Sequence, residues 1–255
     1  MRRLVSIREF WWSATAVRPP TPSPPNSTRR ERRPPRSTSP GPTGPLSAAG
    51  FTRCTIAIGH LGEIIRAYVG DGSQWDMAVD YATEESPLGT MGPLLTLRDR
   101  LPETFLVMNG DVLTDLDHAD VLRRHEACGA PLTIATYARK VHIDFGVLTT
   151  DANKVVAFTE KPSMDYRVSM GVYGLSRSTL DGYPPGLPLG FDELVLDLLA
   201  ARNPPHAYEF DGHWLDIGRP DDYDRANAEF TTRKSLLLKG AGVTSSAGVE
   251  SFEGP

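Results

Sequence analysis

Two carboxylates stand where apolar runs give way to turns. Phe105-Leu-Val-Met108 reads as a buried strand, and the turn-forming pair Asn109-Gly110 ends it, leaving Asp111 just past its carboxyl end. Trp214-Leu215 repeats the pattern: Asp216 follows, and Gly218 breaks the chain ahead of a helix expected from about Pro220. In open α/β sheets, ligands bind beyond the carboxyl ends of the strands. Carboxylates fixed there can hold Mg2+ while water and phosphate complete its coordination. The plain alternative for Asp111, taken alone, is an Asp-rich turn after an ordinary strand.

Two further stretches carry polar chemistry. Glu160-Lys161-Pro162 ends a strand-like run. Its carboxylate can accept from sugar hydroxyls and its ammonium can meet a phosphate. Equally, the pair can be a solvated charge pair at a hairpin end. Glu84-Glu-Ser-Pro-Leu-Gly-Thr-Met-Gly92 places Gly89 and Gly92 before a helix. Glycines there let a flat ligand approach the backbone, and the helix offers its amides. A glycine-containing loop before a helix is common, so this signal gains weight only in company.

The elements that must position these residues follow from periodicity. Ala48-Ala-Gly50-Phe51 reads as a helix end with a glycine stop, and Cys54–Ile58 as a buried strand. Ile64, Ile65, Tyr68 and Val69 form an apolar stripe at helical spacing, which predicts a helix over 61–69. Strands are expected at 78–81, 132–137, 169–175 and 207–210, and helices at 93–101, 119–128 and 191–201. Residues 144–150 and 154–162 form a hairpin pattern around Asp151-Ala-Asn153. Gly171 interrupts its strand, which often marks close approach of a ligand or of another backbone. His142 and Asp144 are the one tempting His/Asp pair, and a plain surface reading suits them better.

Composition narrows the classes. A formal charge of −5 over 255 residues argues against nucleic acid as the main partner. Two cysteines, Cys54 and Cys128, without metal-type spacing suit a reducing cytoplasm. No apolar run approaches the roughly 20 residues of a membrane span, and no signal peptide is expected in the first stretch. Residues 1–46 differ from the rest: Pro, Arg, Ser and Thr crowd them, as in Arg29-Arg-Glu-Arg-Arg-Pro-Pro-Arg36, and they contain no Lys or Asp. Such a segment is expected to be disordered, since it cannot bury enough apolar surface to offset its ordering entropy. Residues 47–230 then form one domain, and 231–255 a loose Gly/Ser-rich tail.

In order and spacing, these motifs resemble the sugar-phosphate nucleotidylyltransferases, on the mannose-1-phosphate guanylyltransferase side. The matching pieces are Glu85-Ser-Pro-Leu-Gly-Thr-Met-Gly92, Met108-Asn-Gly-Asp111, Phe145-Gly-Val147, Val156-Ala-Phe-Thr-Glu-Lys-Pro162, Met170-Gly-Val-Tyr173 and Gly212-His-Trp-Leu-Asp-Ile-Gly218. The resemblance implies an α/β fold: a Rossmann-like mixed, mostly parallel sheet flanked by helices. It implies NTP and a sugar 1-phosphate as substrates, Mg2+ as cofactor, and NDP-sugar and pyrophosphate as products; a homo-oligomer is compatible with it. Asp111 and Asp216 would hold the metal, and Lys161 would meet the sugar's phosphate. Glu84, Gly89 and Thr90 would lie at the base, Gly146, Glu160 and Gly171 at the sugar, with Asn109 and Gly110 on the substrate side.

One departure stands out. The family's first strand, its Gly-Gly-x-Gly-Thr-Arg loop and its Pro-Lys-Pro segment have no counterpart here, and a frameshifted reading of residues 1–46 would account for that. Loss of that strand leaves the Asp111 strand with an unpaired edge in mid-sheet, which predicts an unstable or poorly active chain. The competing readings are a sugar-nucleotide-binding regulatory subunit without chemistry and a metal-dependent glycosyltransferase. The latter draws on Asp115-Leu-Asp117, the Asp-x-Asp pattern such enzymes use.

Overall fold

A computed structural model describes residues 13–17 (backbone only), 46–47, 49–59, 62–84, 86–218, 223–226 and 228–229. The chain enters the domain through a helix end built on Gly50. At φ 86° Gly50 adopts the left-handed conformation, its N–H donates to Ser47 O, and Phe51 N–H donates to Leu46 O, both at 3.0 Å. This is the six-to-one and five-to-two pattern of a glycine-terminated helix, clamped by the buried pair Leu46 and Phe51.

Strands β1 (Ser13–Val17), β2 (Arg53–Ile58), β3 (Ala78–Thr83), β4 (Thr104–Asn109), β6 (Leu132–His142), β9 (Ser163–Ser176) and β10 (His206–Phe210) form a seven-stranded sheet. Its order is β10-β6-β9-β4-β1-β2-β3. Helices α1 (Gly62–Val69), α2 (Gly92–Leu97), α3 (His118–Cys128) and α4 (Phe191–Ala200) accompany it. Strand β4 shows why its sequence is a continuous apolar run. Phe105 and Val107 enter a cluster with Leu94, Leu132, Tyr173 and Leu194, while Leu106 enters another with Ile56, Val121, Ala135 and Val172. Both faces of the sheet are therefore covered. Helix α3 carries its stop and start signals in full: Asp117 accepts from Asp120 N–H at 3.0 Å, and Gly129 closes it at φ 64°.

Two expectations are corrected. The sheet is mixed but not mostly parallel among the described strands. β2–β3 and β6–β10 run parallel; β1–β2, β1–β4, β4–β9 and β6–β9 run antiparallel. The edge of β4 is also not left open. Within the segment read as disordered, Ser13–Val17 pairs with β2 on one side and β4 on the other, Thr15 lying opposite both Thr55 and Val107. Five residues, Ser-Ala-Thr-Ala-Val, suffice because backbone groups supply the ladder whatever the side chains. The argument for instability from an unpaired edge loses its basis. The remainder of 1–45 and the tail after 229 lie outside the described residues, as does most of the helix expected from Pro220, of which 223–226 are helical.

The hairpin pattern becomes β7 (Val147–Asp151) and β8 (Lys154–Thr159), a separate two-stranded sheet. Ala152 and Asn153 turn it at φ 44° and 66°. Every residue of both strands is exposed, so this is an arm extending from the β6–β9 ribbon rather than part of the core.

Candidate active site

The two carboxylates are brought together by a pairing too short to be read from periodicity. Strand β5 (Val112–Thr114) runs antiparallel to β11 (Trp214–Asp216), with Val112 opposite Asp216. Ile217 N–H donates to Asp111 O at 2.9 Å, tying the two turns backbone to backbone. Gly218 N–H donates to Asp216 Oδ1 at 3.2 Å. A Cβ on Gly218 would lie 2.7 Å from Asp111 Oδ2 and 3.2 Å from Asp216 Oδ1. Both carboxylates thus converge on a bare Cα. Burial first, and the Asp216 charge second, push the Asp111 carboxyl above its ordinary range.

Such a pair is suited to a divalent cation, which offsets both the burial and the repulsion. No group of three or more His, Cys, Asp or Glu side chains among the described residues could cage a metal. Two carboxylates instead match Mg2+, which keeps several waters and binds through one or two carboxylates plus phosphates.

A bulge in β9 shapes the space beside them. Ile134 faces Tyr173, yet Thr136 faces Ser169, so Met170, Gly171 and Val172 oppose Ala135 alone. Gly171 sits at φ 75°, and a Cβ there would meet Asn109 Nδ2 at 3.0 Å and Val112 Cγ2 at 3.1 Å. The glycine is required by its own backbone and by the close approach of Asn109. The bulge turns Met170 O to the indole of Trp214, whose Nε1 donates to it at 3.0 Å. Ser169 Oγ lies 3.1 Å from the Tyr173 hydroxyl, a phenol that burial pushes up to about 12. The result is a cavity of about 490 Å3 whose walls include Asn109, Asp111, Arg139, Gly171, Trp214 and Asp216.

Apart from Gly110, the remaining expected residues fall into two other groups, neither of them on this cavity's wall. Glu84 accepts from Leu88 N–H at 2.9 Å and so closes its own loop. Gly89, at φ 76°, packs where a Cβ would lie 2.7 Å from Leu189 O; Thr90 is half-buried in the same loop. Gly146, Glu160 and Lys161 sit at the base of the exposed arm. A Cβ on Gly146 would meet the Phe158 ring at 2.5 Å and Glu160 Oε2 at 3.3 Å, and Lys161 is held at φ 42°. Gly110 lies in the turn between β4 and Asp111. Asp115 and Asp117 have other work: Asp115 Oδ1 accepts from His213 N–H at 2.7 Å, and Asp117 caps α3. Sequence reasoning missed Arg139. A lone cation on a strand carries no motif, and its nearness to Trp214 depends on β11 being brought in.

With this geometry in view, comparison with known proteins is informative. Residues 42–233 match the family model described as Nucleotidyl transferase. A mannose-1-phosphate guanylyltransferase of Mycobacterium tuberculosis is 32% identical over 191 residues, covering 72% of this chain and 53% of its own length. A mannose-1-phosphate guanyltransferase of Schizosaccharomyces pombe is 31% identical over 187 residues, covering 70% and 51%. The chain thus spans about half the length of these relatives. The crystal structure of HddC from Yersinia pseudotuberculosis superposes with a TM-score of 0.57 at 24% identity, covering 74% of this chain and 83% of that one, and so shares the fold.

Proposed function

Because the chain belongs to the nucleotidyl transferase family, we propose that it joins an NTP to a sugar 1-phosphate, forming an NDP-sugar and releasing pyrophosphate. The observation that carries the reading is the convergence of Asp111 and Asp216 at one wall of a cavity sized for a small ligand. In this reaction a phosphate oxygen of the sugar attacks the α-phosphorus of the NTP. The bond between the α-phosphorus and the bridging oxygen breaks, and that oxygen leaves with pyrophosphate. The protein supplies no nucleophile; it aligns two anions. Asp111 and Asp216 would hold Mg2+, which offsets charge on the phosphates when bound. Asn109 and Gly110 are proposed for the substrate side beside Asp111. Glu84, Gly89 and Thr90 are proposed for the base, Gly146, Glu160 and Gly171 for the sugar, and Lys161 for its phosphate when the arm folds over a bound substrate.

The test is pyrophosphate release from a panel of NTPs and sugar 1-phosphates with Mg2+, beginning with GTP and mannose 1-phosphate. No release from any pair sinks the proposal. A second reading, binding without turnover, is favoured by one observation. Strand β1 runs antiparallel to β4, with Ser13 opposite Asn109, so the carboxyl end of β1 points away from the two carboxylates. Nucleotide-sugar binding without pyrophosphate release would establish that alternative. A glycosyltransferase reading loses support, since Asp115 and Asp117 are both engaged within the fold.

A further inference from the structure

Strand β9 carries two hydroxyls on the wall of the cavity that holds Asp111 and Asp216, those of Ser169 and Tyr173. In a straight strand, residues four apart stand roughly 13 Å from one another, too far for a serine and a phenol to meet. The bulge at left-handed Gly171 kinks the strand between them, and Ser169 Oγ lies 3.1 Å from the Tyr173 hydroxyl. Their burial differs: Tyr173 is 3% exposed, whereas Ser169 is exposed at the cavity wall. Among the described residues the phenol has no hydrogen-bond partner but Ser169. A buried O–H without an acceptor is costly, while a serine at an open wall loses nothing by turning its proton outward. Tyr173 therefore donates and Ser169 Oγ accepts. Burial, seconded by the Asp111 charge, pushes the phenol up to about 12, so this donor keeps its proton at any working pH. Gly171 N–H donates to the same Oγ at 3.3 Å. Both lone pairs of Ser169 are then occupied, and its hydroxyl is left with one function, to donate into the cavity.

We propose that Ser169 is a specificity-determining residue that donates to one hydroxyl of the sugar 1-phosphate, and that Tyr173 is a positioning residue that fixes the direction of that hydrogen bond. This rests on the reaction proposed above. A sugar hydroxyl fits this point better than a phosphate. Ser169 brings no charge, and the wall beside it includes Val168, Met170 and Trp214, apolar surface that suits the C–H faces of a sugar ring. A sugar hydroxyl can donate or accept, but a wall group held as a donor engages only its lone pair. A sugar without that oxygen forfeits the bond, which makes the pair a filter on the sugar rather than a general source of affinity.

The experiment is calorimetric binding, with Mg2+ present, to wild type, Ser169→Ala, Tyr173→Phe and the double variant. The probes are mannose 1-phosphate, glucose 1-phosphate, their singly deoxygenated analogues and the matching fluoro analogues. Wild type should lose about 5–10-fold in affinity for one deoxy analogue. It should lose less for the fluoro analogue at that position, since fluorine accepts but cannot donate. In Ser169→Ala the parent should weaken by a similar factor and that deoxy analogue should lose nothing further, so the two losses do not add. Ser169→Ala strands the buried Tyr173 proton; the double variant repeats the comparison with no donor left over, which separates the lost contact from a fold defect. Tyr173→Phe frees a lone pair on Ser169 and should narrow the preference for fluoro over deoxy, a readout that a purely structural role leaves unmoved. Unchanged affinity for the parent in both Ser169 variants overturns the proposal, as do additive losses or a wild type that binds neither sugar 1-phosphate. Weaker binding of inorganic phosphate in Ser169→Ala assigns the donor to phosphate and overturns it too. The two readings fail separately. Non-additive losses in a wild type that releases no pyrophosphate refute the reaction and leave the subsite standing. Pyrophosphate release with additive losses does the reverse.

Discussion

Asp111 and Asp216 repel each other in a partly buried turn, and removing either charge separates their role in folding from their role in binding. Asp111→Asn relieves the repulsion and removes one of the two proposed metal ligands. We expect unchanged or slightly raised thermal stability together with a loss of about 100-fold or more in turnover and a weakened Mg2+ requirement. A stable protein with wild-type turnover would remove Asp111 from the site. His118, at the start of α3, makes the opposite kind of prediction. It is buried, its Nε2 has no hydrogen-bond partner, and burial lowers its pKa from 6.5 to about 4. The folded state therefore resists protonation that the unfolded state accepts. Above pH 6.5 both states carry it neutral; between pH 6.5 and about 4 the unfolded chain gains the proton first, so stability falls as pH falls through that window. The ceiling on this loss is on the order of 3 kcal/mol. His118→Leu should flatten the dependence in urea melts at pH 7 and pH 5, because it replaces an unpaired buried polar atom with apolar volume.

At the scale of elements, the β9 bulge and the exposed arm invite opposite experiments. Gly171→Ala forces a Cβ onto a left-handed residue and against Asn109. A cost of about 1–3 kcal/mol is expected from the backbone alone, with displacement of Asn109 seen as weakened ligand binding beyond that loss. The arm should behave otherwise. All of β7 and β8 is exposed, so replacing 146–160 by a short Gly-Ser turn should leave the melting temperature within a few degrees. If Gly146 and Glu160 serve the substrate, the same deletion should still raise the KM for the sugar 1-phosphate. These contrasts also show what the sequence could reveal. The buried run of β4, the hairpin turn at Asp151-Ala-Asn153 and most helices were legible because local periodicity and turn chemistry determine them. The β5–β11 pair was not, being three residues on each side and nearly a hundred apart. The bulge showed itself only as a glycine inside a strand. Arg139, on the cavity wall, was overlooked because a lone cation on a strand carries no motif; Trp214, over which it lies, is brought in from β11.

At the scale of the molecule, β1 joins two parts of the sheet, β2–β3 on one side and β4-β9-β6-β10 on the other. Nothing in the Ser13–Val17 sequence announced this, since a short run of small and β-branched residues becomes a strand only when two open edges flank it. Thr15→Pro tests the arrangement. Proline removes a ladder donor in the middle of a sheet, and a loss of about 1–3 kcal/mol or more is expected in urea unfolding, with both parts melting together. An unchanged unfolding curve would show that β1 is dispensable. The position of β1 also bears on how the protein is made. Its second neighbour, β4, is synthesised long after it, on the order of ten seconds later at ordinary translation rates of about 5–20 residues per second. Among the described strands β1 is therefore made first, and it must keep its place in the sheet open until β4 follows. During that wait the edge of β1 that will meet β4 stays exposed to whatever else the nascent chain meets.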